Sequence, residues 1–390
     1  MDGNDKVRIG VIGAGGRGRL ARYVVTDNLG GVITALCDID PEGFKSYADV
    51  CAPDVFTCAD YRDLLARKDV DAVFVSTPDN FHEEHAIAAL KAGKDVYLEK
   101  PMAITIPGCD RILRTAAKSG RKLYLGHNMR HMAFVQKLKQ LVDEGAIGQV
   151  KAAWCRHFIA YGGDAYFKDW HADRTLSTGL LLQKAAHDID VLHWICGGYT
   201  KRVVAQGALA VYGDVQDRHA PSDLGDPTFR MENWPPLSQK QLNPVIDVED
   251  LSHVLMALDN GVLASYQQCH YTPDAWRNYT IIGTHGRIEN MGDEPGNCIV
   301  RVWTNRTSFK EHADEEHSIP AIEGSHGGAD PAIVEEFVRW LREGGRIATS
   351  AVAARYSVAA GCAATSSLRN GSVPEDVPPL PREIADYFSN

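Results

Sequence analysis

The sequence predicts an α/β domain with a doubly wound parallel sheet, followed by an α+β domain with a mainly antiparallel sheet. Three patterns carry that expectation. Short, fully apolar strand runs alternate with helical runs over the first 128 residues, as strands covered on both faces do. A glycine-rich turn joins the first strand to the first helix. Beyond Met129 strands dominate, and Asp259-Asn260-Gly261 between two of them is a hairpin signal.

The opening stretch is the most informative. Val7, Ile9, Val11 and Ile12 form an apolar strand run, and Gly13-Ala14-Gly15-Gly16-Arg17-Gly18 follows at once. A helical pattern with Leu20, Tyr23, Val24 and Val25 on one face comes next, then a strand over 32–36 that ends near Asp38. This G-x-G-x-x-G spacing suits a dinucleotide. Gly13 permits the tight turn, Gly15 lets the backbone approach a pyrophosphate, and Gly18 lets helix and strand pack closely. A carboxylate at Asp38 accepts hydrogen bonds from ribose hydroxyls and repels a 2′-phosphate, so NAD is expected over NADP. Arg17 is the counter-signal, since a basic side chain in this loop could tolerate a phosphate.

The alternation then continues with strands over 55–58, 72–76, 96–98 and 122–125, and helices over 61–67, 80–92 and 106–119. Gly93 and Gly120 stand where left-handed caps end helices. Ligands of such sheets sit beyond the carboxyl ends of the strands, where Thr77-Pro78, Glu99-Lys100-Pro101 and His127-Asn128 are expected. The second domain, 129–390, opens with a helix over 132–144 and holds a long helix over 177–196. Strands follow over 251–258, 262–268, 277–282, 287–290 and 298–303, read as an antiparallel sheet with helices on one face. The segment 214–244, with several prolines and mixed charges, looks like an insertion, a lid over a site or an arm to a partner subunit. Helices over 331–343 and 351–368 close the chain before a proline-rich tail.

Whole-chain properties narrow the function. With 390 residues and 44% hydrophobic content, two soluble domains are the natural expectation. The net charge of −10 argues against general nucleic-acid or anionic-membrane binding. Nine cysteines are scattered without a C-x-x-C pair, as reduced, buried thiols are. No secretory signal or membrane-spanning run is visible, so a cytoplasmic location is expected.

Several stretches together resemble the glucose–fructose oxidoreductase / inositol dehydrogenase / MocA (Gfo/Idh/MocA) family: IGVIGAGGRG, FVSTPDNFH, YLEKPMA, DEGAIGQV and KAAHDID, in family order and over nearly the whole chain. The resemblance implies a Rossmann NAD-binding domain at 1–128 and, at 129–390, a substrate-binding domain on an open antiparallel sheet. That sheet commonly forms a subunit interface, so a homo-oligomer, dimer or tetramer, is implied. Hydride transfer at a sugar or cyclitol carbinol is implied too. By the same resemblance Lys100 sits at the substrate hydroxyl, and Glu99 and Pro101 shape the nicotinamide pocket. Thr77, Pro78, Asn80 and His82 line the nicotinamide ribose, and His187 is the general base. One departure stands out: many members carry an aspartate four residues before that histidine, and here Gln183 stands there, beside Lys184.

The chemistry asks for a base and a donor for the developing alkoxide, with a pKa near working pH. Neutral His187 fits unaided, and Lys100 fits if burial and nearby positive charge lower its pKa. Lys184 and His187, three apart on a helix, would share a face. With Lys100 they would make a basic cluster donated by both domains, suited also to an anionic sugar. Arg156, His157, His171, Arg174, Tyr271, Trp276 and Arg277 are further candidates for the substrate pocket. Plainer roles stand beside these: Lys184 could pair with Asp188, His187 could be structural, and Trp276 and Arg277 could be ordinary sheet residues. No zinc-type spacing is present, so no metal is expected. Two activities fit: an NAD-dependent sugar or glycoside oxidoreductase acting at, for example, pyranose C3, and a glycosidase that oxidises C3 transiently, eliminates the C1 substituent, adds water and recycles bound NAD. The second needs another base near C2, for which Lys184, His157 or Tyr271 could serve.

Overall fold

The computed structural model describes residues 6–26, 29–223 and 225–388. The described residues form two compact units, one within 1–131, 324–355 and 380–390 and the other within 132–323 and 356–379.

The first unit is built on six parallel strands, β1 (Val7–Ile12), β2 (Gly31–Cys37), β3 (Phe56–Cys58), β4 (Ala72–Val75), β5 (Asp95–Leu98) and β6 (Leu123–Leu125), ordered β3-β2-β1-β4-β5-β6. The helical segment after the glycine turn, Gly16–Val25, is 3₁₀ rather than α. Phe74, Tyr97 and Tyr124 lie side by side at matched positions of β4, β5 and β6. Their rings stack, with centroids 4.4 Å apart for Phe74–Tyr97 and 5.5 Å for Tyr97–Tyr124. An aromatic sheet face needs an apolar cover, and the helix Ala329–Glu343 supplies it. Its Ile333, Val334, Phe337 and Val338 join the same core, and Phe337 meets Phe74 and Tyr97 edge-on at 5.3 and 5.4 Å. Burial of this stripe is why 324–355 groups with the first unit, although the sequence expectation placed everything after residue 128 in the second.

The second unit carries nine strands: β7 (Val150–Phe158), β8 (Thr200–Ala208), β9 (Leu251–Leu258), β10 (Leu263–Cys269), β11 (Trp276–Gly283), β12 (Arg287–Met291), β13 (Cys298–Trp303), β14 (Glu315–Ile319) and β15 (Glu375–Asp376). Their order is β14-β13-β12-β11-β7-β10-β9-β8-β15, antiparallel except for β7 beside β10. The helices Ala133–Asp143 and Ala185–Cys196 pack against the sheet, on the face that holds Cys155, Tyr266 and Tyr279. β14, β15 and the helix Arg382–Phe388 in the tail carry too little apolar periodicity to stand out in the sequence.

One sequence expectation changes here. The helix over 177–196 is three pieces, Arg174–Ser177, Leu180–Gln183 and Ala185–Cys196. Thr178 at φ 65° and Gly179 at φ 155° break it, and Arg369 secures the break by donating to the Thr178 carbonyl at 2.7 Å and to Glu249. The described residues of the insertion 214–244 form a strap with two short 3₁₀ turns, Met231–Asn233 and Pro236–Ser238, docked on the short helix Gly162–Tyr166 and on Phe167 and Lys168 just beyond it. Asn233 donates to Asp164 at 2.6 Å, His219 meets the Lys168 carbonyl at 2.9 Å, and Asn243 N–H donates to the Phe167 carbonyl at 2.7 Å.

Candidate functional site

In the first unit the glycine turn has the shape a dinucleotide needs. Gly13 is at φ 85°, and a Cβ there would strike the Ser76–Thr77 backbone. A Cβ at Gly18 would strike the Gly13 carbonyl, whereas Gly16 faces open space. Gly13 and Gly18 are therefore packing glycines, and Gly15-Gly16 leaves the cradle clear for a pyrophosphate. Asp38, at the end of β2, accepts from Gly15 N–H at 2.9 Å and from Asp40 N–H at 3.0 Å.

Arg17 does not lie beside Asp38. Its guanidinium donates to Glu99 at 3.0 Å and grips both oxygens of Asp330 at 2.7 and 2.8 Å. Glu99 follows β5, which is three strand spacings from β2, roughly 14 Å. Arg17 thus belongs to the β5 side of the sheet and is committed to two carboxylates. Asp330 also accepts from Asn128 at 3.0 Å, Ser325 at 2.7 Å and His326 at 2.8 Å. Burial pushes the Asp330 carboxyl up, but the bonds from His326 and Arg17 outweigh it and hold it far below the usual range.

The ends of β4 and β5 are clamped by His82. Its buried ring lies 2.7 Å from the Pro101 carbonyl and 2.9 Å from the Thr77 carbonyl. Burial pulls its pKa down, so the ring is neutral and donates to one of them. Thr77 Oγ1 meets His85 at 3.0 Å, and half-buried Pro78 and Asn80 complete the turn. Lys100 is half-buried, and its N–H donates to Glu99 at 3.2 Å.

In the second unit a buried charge network surrounds Asp188. Arg277 donates to its Oδ1 at 3.0 Å, and Tyr279 also bonds that oxygen. Oδ2 is met by His157 at 3.1 Å and by the Tyr266 hydroxyl at 3.1 Å. Burial raises the Asp188 carboxyl, but Arg277 and then His157 outweigh it, and it stays ionised. Burial and Arg277 push His157 down to about 3, so this ring is neutral at physiological pH.

Lys184 stands at the start of the helix Ala185–Cys196, one residue outside it, and not on a continuous helix with His187. It is buried, and its ammonium position lies over the rings of Tyr161 and Tyr166 at 5.4 and 5.3 Å. The expected partner Asp188 is saturated by other donors, and among the described residues no carboxylate lies within ion-pairing distance of Lys184. Burial and then Arg277 push Lys184 down to about 7. His187 is buried on the first turn of that helix.

The other candidates separate by strand alternation. His157 and Arg277 are register partners on the Asp188 side of the sheet. Arg156 and Trp276 point to the opposite face, where Arg156 bonds Asn278 and pairs with Glu289 at 3.6 Å. Trp276 stacks on Phe158 at 5.7 Å there, so neither shares a pocket with His157. Arg174 pairs with Asp247 at 3.0 Å, and His171 with Asp169 at 2.6 Å. Tyr271 packs against the cluster around Phe167, its ring edge-on to Tyr212 with centroids 6.5 Å apart.

Sequence reasoning missed Asp330, Tyr161, Tyr166 and His270. The last is a fully buried ring beside Tyr166, centroids 5.4 Å apart. Nothing local in the sequence links Tyr161 and Tyr166 to Lys184. Among the described residues no group of His, Cys, Asp or Glu is placed to hold a metal ion.

Family models match both domains. Residues 7–127 match the family model of the Gfo/Idh/MocA oxidoreductases for the NAD-binding Rossmann fold, and residues 139–376 match their C-terminal alpha/beta domain. The chain belongs to the Gfo/Idh/MocA oxidoreductase family. Its first domain is that family's NAD-binding domain. YteT of Bacillus subtilis is 28% identical over 374 residues, 84% of this chain and 87% of its own. An inositol 2-dehydrogenase of Burkholderia multivorans is 34% identical over 224 residues, 57% of this chain and 62% of its own, so that match spans about three fifths of the relative. Among solved structures, a levoglucosan dehydrogenase in complex with NADH and levoglucosan has a TM-score of 0.77 at 19% identity, over 96% of this chain and 100% of that one. The myo-inositol 2-dehydrogenase of Lactobacillus plantarum scores 0.71 at 19% identity, over 96% and 100%. These two share the Gfo/Idh/MocA fold.

Proposed function

We propose that this protein is an NAD-dependent oxidoreductase acting at a carbinol carbon of a neutral sugar or glycoside, with Lys100, Lys184 and His187 as the groups that handle the proton. The observation that carries this reading is Lys184: a buried amine caged by two tyrosine rings and lowered to about 7. Such an amine exists partly in its free-base form at physiological pH and takes a hydroxyl proton as hydride leaves the carbon. When bound, NAD supplies the hydride acceptor. Gly13, Gly15, Gly16 and Gly18 would cradle its pyrophosphate, and Asp38 its adenosine ribose. Arg17, held by Glu99 and Asp330, is unavailable to a 2′-phosphate, which supports NAD over NADP.

A neutral substrate is favoured over an anionic one because the arginines are already compensated. Arg277 faces Asp188 and Asp293, Arg156 faces Glu289, and Arg174 faces Asp247. Inositol and levoglucosan, named for the relative and the structural neighbour, are neutral polyols. The test is a panel of cyclitols, pyranoses, glycosides and uronates with NAD, following NADH. Turnover of neutral polyols is expected, and turnover confined to uronates would overturn the neutral-substrate reading.

The glycosidase reading, with transient oxidation at C3, is favoured by one feature. Lys184 and His187 are two distinct proton carriers, and elimination needs a second base. A chromogenic glycoside with catalytic NAD separates the two: aglycone release without net NADH marks the hydrolase, stoichiometric NADH the dehydrogenase. A homo-oligomer is also proposed, with a second copy covering the outer face of the nine-stranded sheet. Leu255 and Leu263 stand there at 65% and 64% exposure.

A further inference from the structure

Lys184 has a carboxylate one helical turn on, at Asp188, and does not pair with it. On a solvated helix that spacing closes readily. Here both Asp188 oxygens are occupied, Oδ1 by Arg277 and Tyr279 and Oδ2 by His157 and Tyr266. Arg277 also takes Asp293, its own N–H donating at 3.0 Å and its guanidinium lying 3.5 Å away. We propose that Arg277 is a positioning residue that claims Asp188 and Asp293 and so leaves the Lys184 amine without a counter-ion, able to act as a neutral base. The inference rests on the reading of Lys184 given under Proposed function and adds what sets its protonation.

The groups that face Lys184 come from every surrounding element. Tyr161 and Tyr166 offer aromatic faces, which attract a cation more weakly than a carboxylate. Arg277 on β11 repels the ammonium, while Asp188 on the following helix and Asp293 after β12 favour it. His157 on β7 and His270 after β10 are held neutral by burial and add no charge. Burial disfavours the ammonium throughout. The balance is therefore set by which cation owns Asp188. With Arg277 in place the carboxylate charge is spent on the guanidinium. With Arg277 gone, Asp188 becomes the natural partner for Lys184.

The experiment reads Lys184 directly, without turnover, so that it stands apart from the functional reading. The protein is labelled at lysine Cε, and the Lys184 resonance is assigned by its loss in Lys184→Met and followed by NMR from acid to alkaline pH. In the wild type the midpoint is expected near 7, as burial and the nearby Arg277 charge require. Arg277→Gln is expected to raise it by roughly one to two pH units, and Arg277→Lys, which keeps a cation on Asp188, by less than about half a unit. Arg277→Gln leaves a buried carboxylate without its cation and could unfold. Asp188→Asn and the double variant Asp188→Asn/Arg277→Gln cover that case, with thermal melts to report folding. Asp188→Asn is expected to lower the midpoint below wild type, and the double variant to return it close to wild type. A wild-type midpoint at the ordinary lysine value, equal midpoints in wild type and Arg277→Gln, or an upward shift in Asp188→Asn would overturn the proposal. If the midpoints move as expected while no substrate is oxidised, the electrostatic device stands and the functional reading falls.

Discussion

An amine that releases its proton near neutrality must be short of both water and carboxylates, and Lys184 is short of both. That arrangement has a stability cost with a definite pH dependence. The folded pKa of about 7 lies below the ordinary lysine value of 10.5. Between those values the unfolded chain binds a proton that the folded chain does not, so stability rises with pH across that window. Lys184→Met removes this dependence. We expect the variant to be stabilised relative to wild type by at least about 1 kcal/mol more at pH 7 than at pH 10, read from urea unfolding. We expect kcat/KM to fall by about 10²- to 10⁴-fold. At the cofactor end, Asp38→Ala is expected to cut the preference for NAD over NADP by at least about tenfold, measured by cofactor titration. Much of this was legible in the chain. The glycine turn, Asp38 and the Glu99-Lys100-Pro101 run have fixed local spacing, and local spacing is what a sequence displays. Asp330, Tyr161 and Tyr166 were not legible, because their partners Arg17 and Lys184 lie 313 residues away in one case and across a broken helix in the other.

At the scale of elements, the aromatic triplet on β4, β5 and β6 explains where the helix Ala329–Glu343 goes. The three strand cores read VFV, VYL and LYL, each with an aromatic at its centre. Aligned in register they make one aromatic face. Phe337 fills it. Phe337→Ala is therefore expected to cost about 3–5 kcal/mol of stability, read from denaturant unfolding. The strand cores and the amphipathic helix are each visible in the sequence; their meeting is not, since nothing local links residue 74 to residue 337. The helix over 177–196 shows the converse. Its apolar content reads as continuous, and only the φ values at Thr178 and Gly179 divide it. That division places Lys184 at a helix start beside the Tyr161–Tyr166 segment, which Asn233 of the 214–244 strap holds at Asp164, while His219 meets the Lys168 carbonyl just beyond it. The prolines and mixed charges of the strap signalled irregular chain, and its docking on Asp164 is a tertiary fact.

For the molecule as a whole, the net charge of −10 would oppose self-association if it were spread over the contact surface. The outer face of the nine-stranded sheet avoids this. Charges of both signs lie together within the face, Arg156 and Arg287 sharing Glu289 at 3.6 and 3.3 Å and Arg301 meeting Glu316 at 3.0 Å. An identical copy therefore meets little net field there, which is the condition an isologous contact needs. The face also presents apolar area. Leu255 and Leu263 sit on neighbouring strands β9 and β10, diagonal to one another across the pairing Leu255↔Ser265 and Ala257↔Leu263. Diagonal neighbours on one sheet face are close enough to act as one patch. Half-buried Trp154, Ile282, Ile299 and Trp303 extend it along β7, β11 and β13. Burying a leucine side chain contributes about 1.5–3 kcal/mol, and a two-fold contact buries each residue twice. If the proposed second copy sits there, Leu255→Glu with Leu263→Glu is expected to yield a monomer at micromolar concentration where the wild type is larger, measured by light scattering on a size-exclusion column. Because both side chains point away from Asp188 and Lys184, the Lys184 midpoint should hold in the monomer. A double variant that keeps the wild-type mass would show that the second copy lies elsewhere.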